Sequence, residues 1–170
     1  MNYKDYIRDI ADFPKEGILF RDITPLLQNG EILRRAIKEM GGYFADQKID
    51  LVAGPEARGF LMGVPIAYEL GTGFIPVRKK GKLPADIIQE KYQLEYGYDI
   101  LEMHKDAIKP GQRVLIADDL LATGGTALST ARLVEQLGGQ VVGFSFMIEL
   151  TFLKGKEVLK DYNVFSLVQY

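Results

Sequence analysis

Val114-Leu115-Ile116-Ala117-Asp118-Asp119-Leu120-Leu121-Ala122-Thr123-Gly124-Gly125-Thr126 is the stretch whose reading decides the fold. Four apolar residues predict a buried strand, two carboxylates stand at its carboxyl end, and a loop of small residues opens a helix. Open α/β sheets bind ligands at the carboxyl ends of their strands. Gly124 and Gly125 carry no Cβ, so the backbone there can approach an oxyanion closely. Unpaired N–H groups of the helix start face that anion, and Thr123 and Thr126 add hydroxyl donors. The loop reads as a phosphate cradle. Asp118 and Asp119 suit vicinal hydroxyls or a hydrated cation, because carboxylates accept hydrogen bonds. A sugar phosphate satisfies both halves. The dipole of the helix would account for one acid at its N-terminus, but not for a pair ahead of T-G-G-T.

Working outward, Pro110-Gly111 is a turn and Arg113 to Ala117 a strand. A helix is predicted over 125–137 through Ala127, Leu128, Ala131, Leu133, Val134 and Leu137, stopped by Gly138-Gly139. Strands follow at Val141–Ile148 and Asn163–Val168. Upstream, Asn29 caps a helix carrying Ile32, Leu33, Ala36, Ile37, Met40 and Phe44 at helical spacing. Leu51 to Ala53 is a short strand ended by Gly54-Pro55. Residues 58–70 read as a helix in which Pro65 marks a kink or a late start. Gly73 to Val77 is a further strand, and Gln89 to Glu102 a hairpin around Gly97. Phe20 falls in a loop between two helices. Strands alternating with helices predict a mostly parallel, doubly wound α/β sheet flanked by helices.

The length of 170 residues fits one domain, 1–170, able to bury about two-thirds of its unfolded surface. Twenty-one basic against 23 acidic residues leave a net charge of −2, which gives no support to a nucleic-acid or membrane-surface partner. The lack of cysteine excludes a disulfide framework, a thiolate zinc site and a Cys nucleophile. A lone His104, read as a surface residue without a role, excludes a multi-His metal cage. Charges at Lys4, Asp5, Arg8 and Asp9 break any signal-peptide core, and the longest apolar run, Phe60 to Tyr68, is about half a bilayer span. A cytoplasmic protein is expected. Two other phosphate motifs fail: Gly54-x-x-x-x-Gly59 is followed by Phe60-Leu61 where a P-loop needs Lys-Ser/Thr, and Gly71-x-Gly73 meets Pro76 where a dinucleotide fingerprint needs Gly.

Val114 to Thr126 resembles the phosphoribosyl-diphosphate-binding motif of the type I phosphoribosyltransferases. Further stretches resemble the branch of that family that works on adenine: Phe13 to Pro25 (FPKEGILFRDITP), Glu56 to Phe60 (EARGF) and Arg78 to Pro84 (RKKGKLP). Tyr92 to Gly97 (YQLEYG) and Ile148 to Leu150 (IEL) complete the set. The matches run in family order along nearly the whole chain.

That resemblance implies transfer of a phosphoribosyl group from phosphoribosyl diphosphate to adenine, giving AMP and pyrophosphate with Mg2+ carried on the diphosphate. It also implies a small N-terminal hood over about residues 1–35, a mobile β-hairpin loop and a homodimer. Thr123, Gly124, Gly125 and Thr126 would hold the 5-phosphate, with Ala122 among the substrate-binding residues and Asp118 and Asp119 on the ribose hydroxyls. Ala57 and Arg58 would meet the diphosphate; the bland reading of Arg58 is a helix start. Arg78, Lys79 and Lys82 would bind substrate in a segment leading into the mobile loop that covers the diphosphate, with Arg78 near the partner subunit's site and Lys80 merely solvated. Leu19 and Arg21 would read the purine edge by their backbones while Phe20 and Leu120 cover its faces. Glu95 would manage the N7 proton with Tyr96 helping to close the loop, against the alternative of an exposed strand glutamate.

Two rival readings stand beside this one: transfer to another purine, and a regulator that binds the sugar diphosphate on the same fold. The L-F-R-D-I-T-P loop speaks against the first, and the balanced charge and lack of an appended segment against the second.

Overall fold

The computed structural model describes residues 2–93 and 97–170. A single turn of 3-10 helix, Tyr3–Tyr6, leads into β1 (Arg8–Ala11), β2 (Leu19–Asp22), α1 (Thr24–Gln28) and α2 (Gly30–Gly42). Then come β3 (Leu51–Pro55), α3 (Arg58–Leu70), β4 (Gly73–Lys79), β5 (Ile87–Gln93) and β6 (Tyr98–His104). The chain ends with β7 (Arg113–Leu121), α4 (Gly125–Gln136), β8 (Gln140–Glu149), α5 (Gly155–Val158) and β9 (Val164–Gln169).

Seven strands form the main sheet in the order β5-β6-β4-β3-β7-β8-β9, while β1 and β2 pair as a separate antiparallel ribbon. The pairs β3–β4, β3–β7, β7–β8 and β8–β9 are parallel; only the β5–β6 hairpin and its junction with β4 are antiparallel. Helices cover both faces. Ile32, Ala36, Ile37 and Met40 of α2 and Met62 and Ile66 of α3 join one buried cluster; Ala131, Leu133 and Val134 of α4 join the other. The mostly parallel, doubly wound sheet expected from the alternation is what forms. Val52, Val114, Leu115 and Ile116 are essentially inaccessible, as strands covered on both faces require. Each such side chain contributes roughly 1.5–3 kcal/mol of burial.

From β3, the chain adds β4 on one side and later β7 on the other. The strand order therefore reverses at β3–β7, and the crevice at such a switch point is where ligands bind. Local signals place the flanking elements. The Asn29 side chain accepts the Ile32 N–H as an N-cap, and Gly71, at φ +67°, closes α3.

Several boundaries differ from the sequence reading. β7 continues to Leu121 rather than ending at Ala117, because β8 keeps pairing with it through Leu121–Glu149 after β3 has stopped at Ala53–Ile116. Asp118 and Asp119 are therefore strand residues. Phe20 lies on β2, not in a loop between helices: a four-residue strand paired only with β1 is too short for its alternation to register. Pro65 sits inside α3, which starts at Arg58. His104 ends β6 half-buried, with Nε2 enclosed and without a hydrogen-bond partner among the described residues, rather than on the surface.

Candidate active site

Two turns meet at the switch point. The first, residues 56–58, joins β3 to α3, and the Glu56–Ala57 peptide bond is cis. The second, residues 122–125, joins β7 to α4. Between them lies a cleft of about 250 Å³ lined by residues 56–58 and 118–127. Ala57, Arg58, Asp118, Asp119, Leu120, Ala122, Thr123, Gly124, Gly125 and Thr126 of the sequence reading thus converge on one space.

Gly124 stands at φ +86° as the residue before α4, with no side chain capping the helix, so the first-turn N–H groups of α4 open toward the cleft. A Cβ at Gly124 would lie 2.8 Å from the Gly155 carbonyl oxygen. The glycine is thus also demanded by the packing of α5 beneath the loop, a reason local sequence does not carry. At Gly59 a Cβ would stand 2.9 Å from Asp118 Oδ1, so the start of α3 is pressed against the acid pair.

Asp118 Oδ1 accepts the Asp119 N–H at 2.8 Å, and Arg58 Nε lies 3.0 Å from Asp119 Oδ2. Burial, together with the neighbouring Asp119 charge, pushes the Asp118 carboxyl well above the usual carboxylate range. Burial raises Asp119 too, and the Arg58 guanidinium opposes that rise. Across the cleft mouth the Arg58 Cζ sits 5.4 Å from the Phe20 ring centroid, and Phe20 meets Phe13 edge-on at 5.1 Å. Leu19 is exposed, and Arg21 turns from the cleft to pair with Asp9.

The basic segment gathers around one acid. Glu56 accepts from Lys82 Nζ at 2.6 Å, from the Lys79 N–H at 2.6 Å and from Arg78 Nε at 3.2 Å. Burial alone would raise the Glu56 carboxyl; the Lys82, Lys79 and Arg78 donors outweigh it and hold it below its ordinary value. Lys79 Nζ also reaches Asp99 at 3.5 Å. Arg78, Lys79 and Lys82 do not line the cleft and are attached to it through Glu56. The sequence reading names Glu56 only within the stretch Glu56 to Phe60; its position just past β3, before Ala57-Arg58, is the available signal. It also missed Tyr92, whose ring would lie 3.5 Å from a Cβ on Gly125 and whose hydroxyl donates to Asp99 at 3.3 Å. Glu95 and Tyr96 lie outside the described residues.

A carboxylate pair, a helix N-terminus and an arginine meet at one crevice of a doubly wound sheet, an arrangement whose donors and acceptors suit a phosphorylated sugar. Residues 22–169 match the phosphoribosyl transferase domain, and the chain belongs to that family. Within it, the chain is 62% identical to the adenine phosphoribosyltransferase of Clostridium perfringens, over all of this chain and 99% of that protein. Its structure is similar to the crystal structure of adenine phosphoribosyltransferase from Thermoanaerobacter pseudethanolicus, with a TM-score of 0.95 and 54% identity over 98% of this chain and 97% of that one. The Saccharomyces cerevisiae adenine phosphoribosyltransferase, solved with adenine and an imino-altritol bisphosphate, gives a TM-score of 0.91 at 42% identity, covering 96% of this chain and 95% of that one. The family resemblance read from the sequence is borne out. No helix among the described residues is long and apolar enough to cross a membrane.

Proposed function

We propose that this chain transfers the 5-phosphoribosyl group of phosphoribosyl diphosphate to adenine, giving AMP and pyrophosphate in purine salvage. The observation that carries the reading is the convergence of Asp118 and Asp119, the N-terminus of α4 and Arg58 on one cleft. Its relatives' names supply the base.

In this reading the α4 start and the 122–126 loop bind the 5-phosphate, as helix N-termini do. Asp118 and Asp119 accept the ribose hydroxyls. The N–H groups near Ala57 and the Arg58 fork take the diphosphate. The bond from ribose C1 to the diphosphate oxygen breaks, with the electron pair leaving on pyrophosphate, as adenine N9 bonds to C1. Catalysis is then stabilisation of charge, positive at C1 and negative on the leaving group. The N7 proton of adenine passes to Glu95, and Tyr96 helps to close the loop. Leu19 and Arg21 read the base edge by main-chain atoms, Phe20 and Leu120 cover its faces, and residues 1–35 serve as the hood of a single domain, 1–170.

Mg2+ would be carried on the diphosphate rather than held directly by the chain; the hard carboxylate oxygens of Asp118 and Asp119 lining the cleft suit its hydration shell, and the ion when bound would neutralise diphosphate charge. A homodimer with Arg78 near the partner subunit's site, and a cytoplasmic location, belong to the same reading; Arg78 is half-buried against Glu56.

The test incubates the protein with phosphoribosyl diphosphate and adenine, hypoxanthine or xanthine, with Mg2+ or with excess chelator. AMP formation that needs the metal is expected. Binding of phosphoribosyl diphosphate without turnover of any base would identify a regulator, and preference for another base would move the chain to another branch.

A further inference from the structure

Among the described residues, the β1–β2 ribbon shares no backbone ladder with the seven-stranded sheet, so side chains must set its height over the cleft. One such contact is an aromatic ring approached by two cations. Arg21 Cζ lies 3.8 Å from the Tyr170 ring centroid and Lys4 Nζ lies 4.6 Å from it. Both fall within the reach over which a ring quadrupole attracts a cation. The ring is on a firm base: the Tyr170 N–H donates to the Glu149 carbonyl at 3.0 Å, and the Tyr170 carbonyl accepts the Thr151 N–H at 2.9 Å and Thr151 Oγ1 at 2.6 Å.

Arg21 is held from the other side by Asp9 of β1, and only 15% of its side chain is exposed. Strand alternation puts Arg21 on the face of β2 opposite Phe20. Phe20 points to Arg58 at the cleft, whereas Arg21 points to Tyr170. Fixing the Arg21 side chain therefore fixes the Leu19–Arg21 backbone and the Phe20 ring together.

We propose that Tyr170 is a positioning residue for the base-reading strand, holding β2 at its working height through its ring contact with Arg21. The inference rests on the reading of β2 as the purine-binding strand. Tyr170 does not line the cleft, so its loss acts on the base and spares the sugar diphosphate.

Steady-state kinetics on the full chain test this, comparing wild type with Tyr170→Ala, Tyr170→Leu and Tyr170→Phe. Tyr170→Ala is expected to raise the KM for adenine about tenfold while the KM for phosphoribosyl diphosphate stays within about twofold. Phe keeps the quadrupole and restores the adenine KM; Leu fills similar space without it and does not. An unchanged adenine KM, equal rises in both KM values, or Leu matching Phe overturns the proposal. Should Tyr170→Ala not fold, the comparison of Phe with Leu carries the same decision. Phe20→Ala separates the two levels. If it raises the adenine KM while the Tyr170 variants do not, the positioning role falls and the purine-binding strand stands; if it has no effect either, the reading of β2 has failed.

Discussion

Arg58 reaches Asp119 through Nε, at 3.0 Å, with the Asp119 side chain 6% and the Arg58 side chain 41% exposed. The ion pair thus has one buried end and one wet end. An arginine that meets an acid through Nε still carries donors on its terminal nitrogens, an arrangement lysine cannot reproduce. The same guanidinium stands 5.4 Å from the Phe20 ring. One side chain therefore borders the proposed ribose, diphosphate and base positions at once.

Removing that cation should shift the acid side of the pH profile. Asp119 is raised by burial and lowered by Arg58, so Arg58→Gln leaves a carboxyl that holds its proton to higher pH. The protonated form accepts fewer hydrogen bonds, so activity that needs the anion is lost as pH falls through the pKa. The acidic limb of kcat/KM in Arg58→Gln should lie at higher pH than in wild type, with kcat down about 10²-fold or more. Arg58→Lys should leave the limb near its wild-type position and recover only part of the rate. A limb that does not move in Arg58→Gln would show that Arg58 does not govern Asp119.

Asp118 and Asp119 should each affect turnover rather than binding alone. Contacts that strengthen as charge concentrates at ribose C1 lower the transition state more than the ground state. Asn at either position is nearly isosteric but cannot carry the charge. Asp118→Asn and Asp119→Asn are each expected to lower kcat at saturating substrate by about 10- to 100-fold. Wild-type kcat in both variants would remove the acids from the mechanism.

The architecture was legible because its strands are covered on both faces. Runs such as Val114 to Ala117 are apolar without interruption, and α2 and α4 show helical spacing between recognisable stops. The phosphate loop was legible because it is contiguous in sequence. What could not be read is what other segments impose. β7 runs on to Leu121 because β8 accompanies it, and the enclosure of His104 Nε2 is a tertiary outcome. Glu56 gathers donors 22 to 26 positions away, and one residue type at one place gives no sign of that. The ribbon of β1 and β2 escaped because four-residue strands flanked by Pro and Gly look like loop.

Glu56 gives a stability test with a definite sign. Its folded pKa lies below the ordinary 4.5, so its stabilisation is fully present above that value and is lost as pH falls through the folded pKa. Glu56→Gln removes the charge that Lys82 and Arg78 share. The melting temperature of the variant should fall below wild type at pH 7, by several degrees for a loss of about 1–2 kcal/mol. The gap should narrow as pH drops below 4.5. A gap that is constant with pH would mean that the carboxylate's charge does not hold the segment.

Base selectivity should come from the main chain of β2. Adenine offers a donor at N6 and an acceptor at N1, which suit one backbone C=O and one backbone N–H. Hypoxanthine reverses both, setting O6 against the carbonyl and N1–H against the amide. Two desolvated mismatches can discriminate by about 10⁴-fold or more, as in other sites built around hydrogen bonds. The Arg21 side chain is not free to read the base: it is turned to Asp9 and lies 3.8 Å from the Tyr170 ring centroid. Arg21→Ala should therefore weaken adenine use through loss of that anchor while keeping most of the preference over hypoxanthine. Phe20→Ala should instead remove a stacking face and weaken adenine binding by roughly 1–3 kcal/mol. Competition assays with the two bases measure the ratio of kcat/KM directly. If Arg21→Ala accepts hypoxanthine nearly as well as adenine, the side chain is the reader and the backbone argument fails.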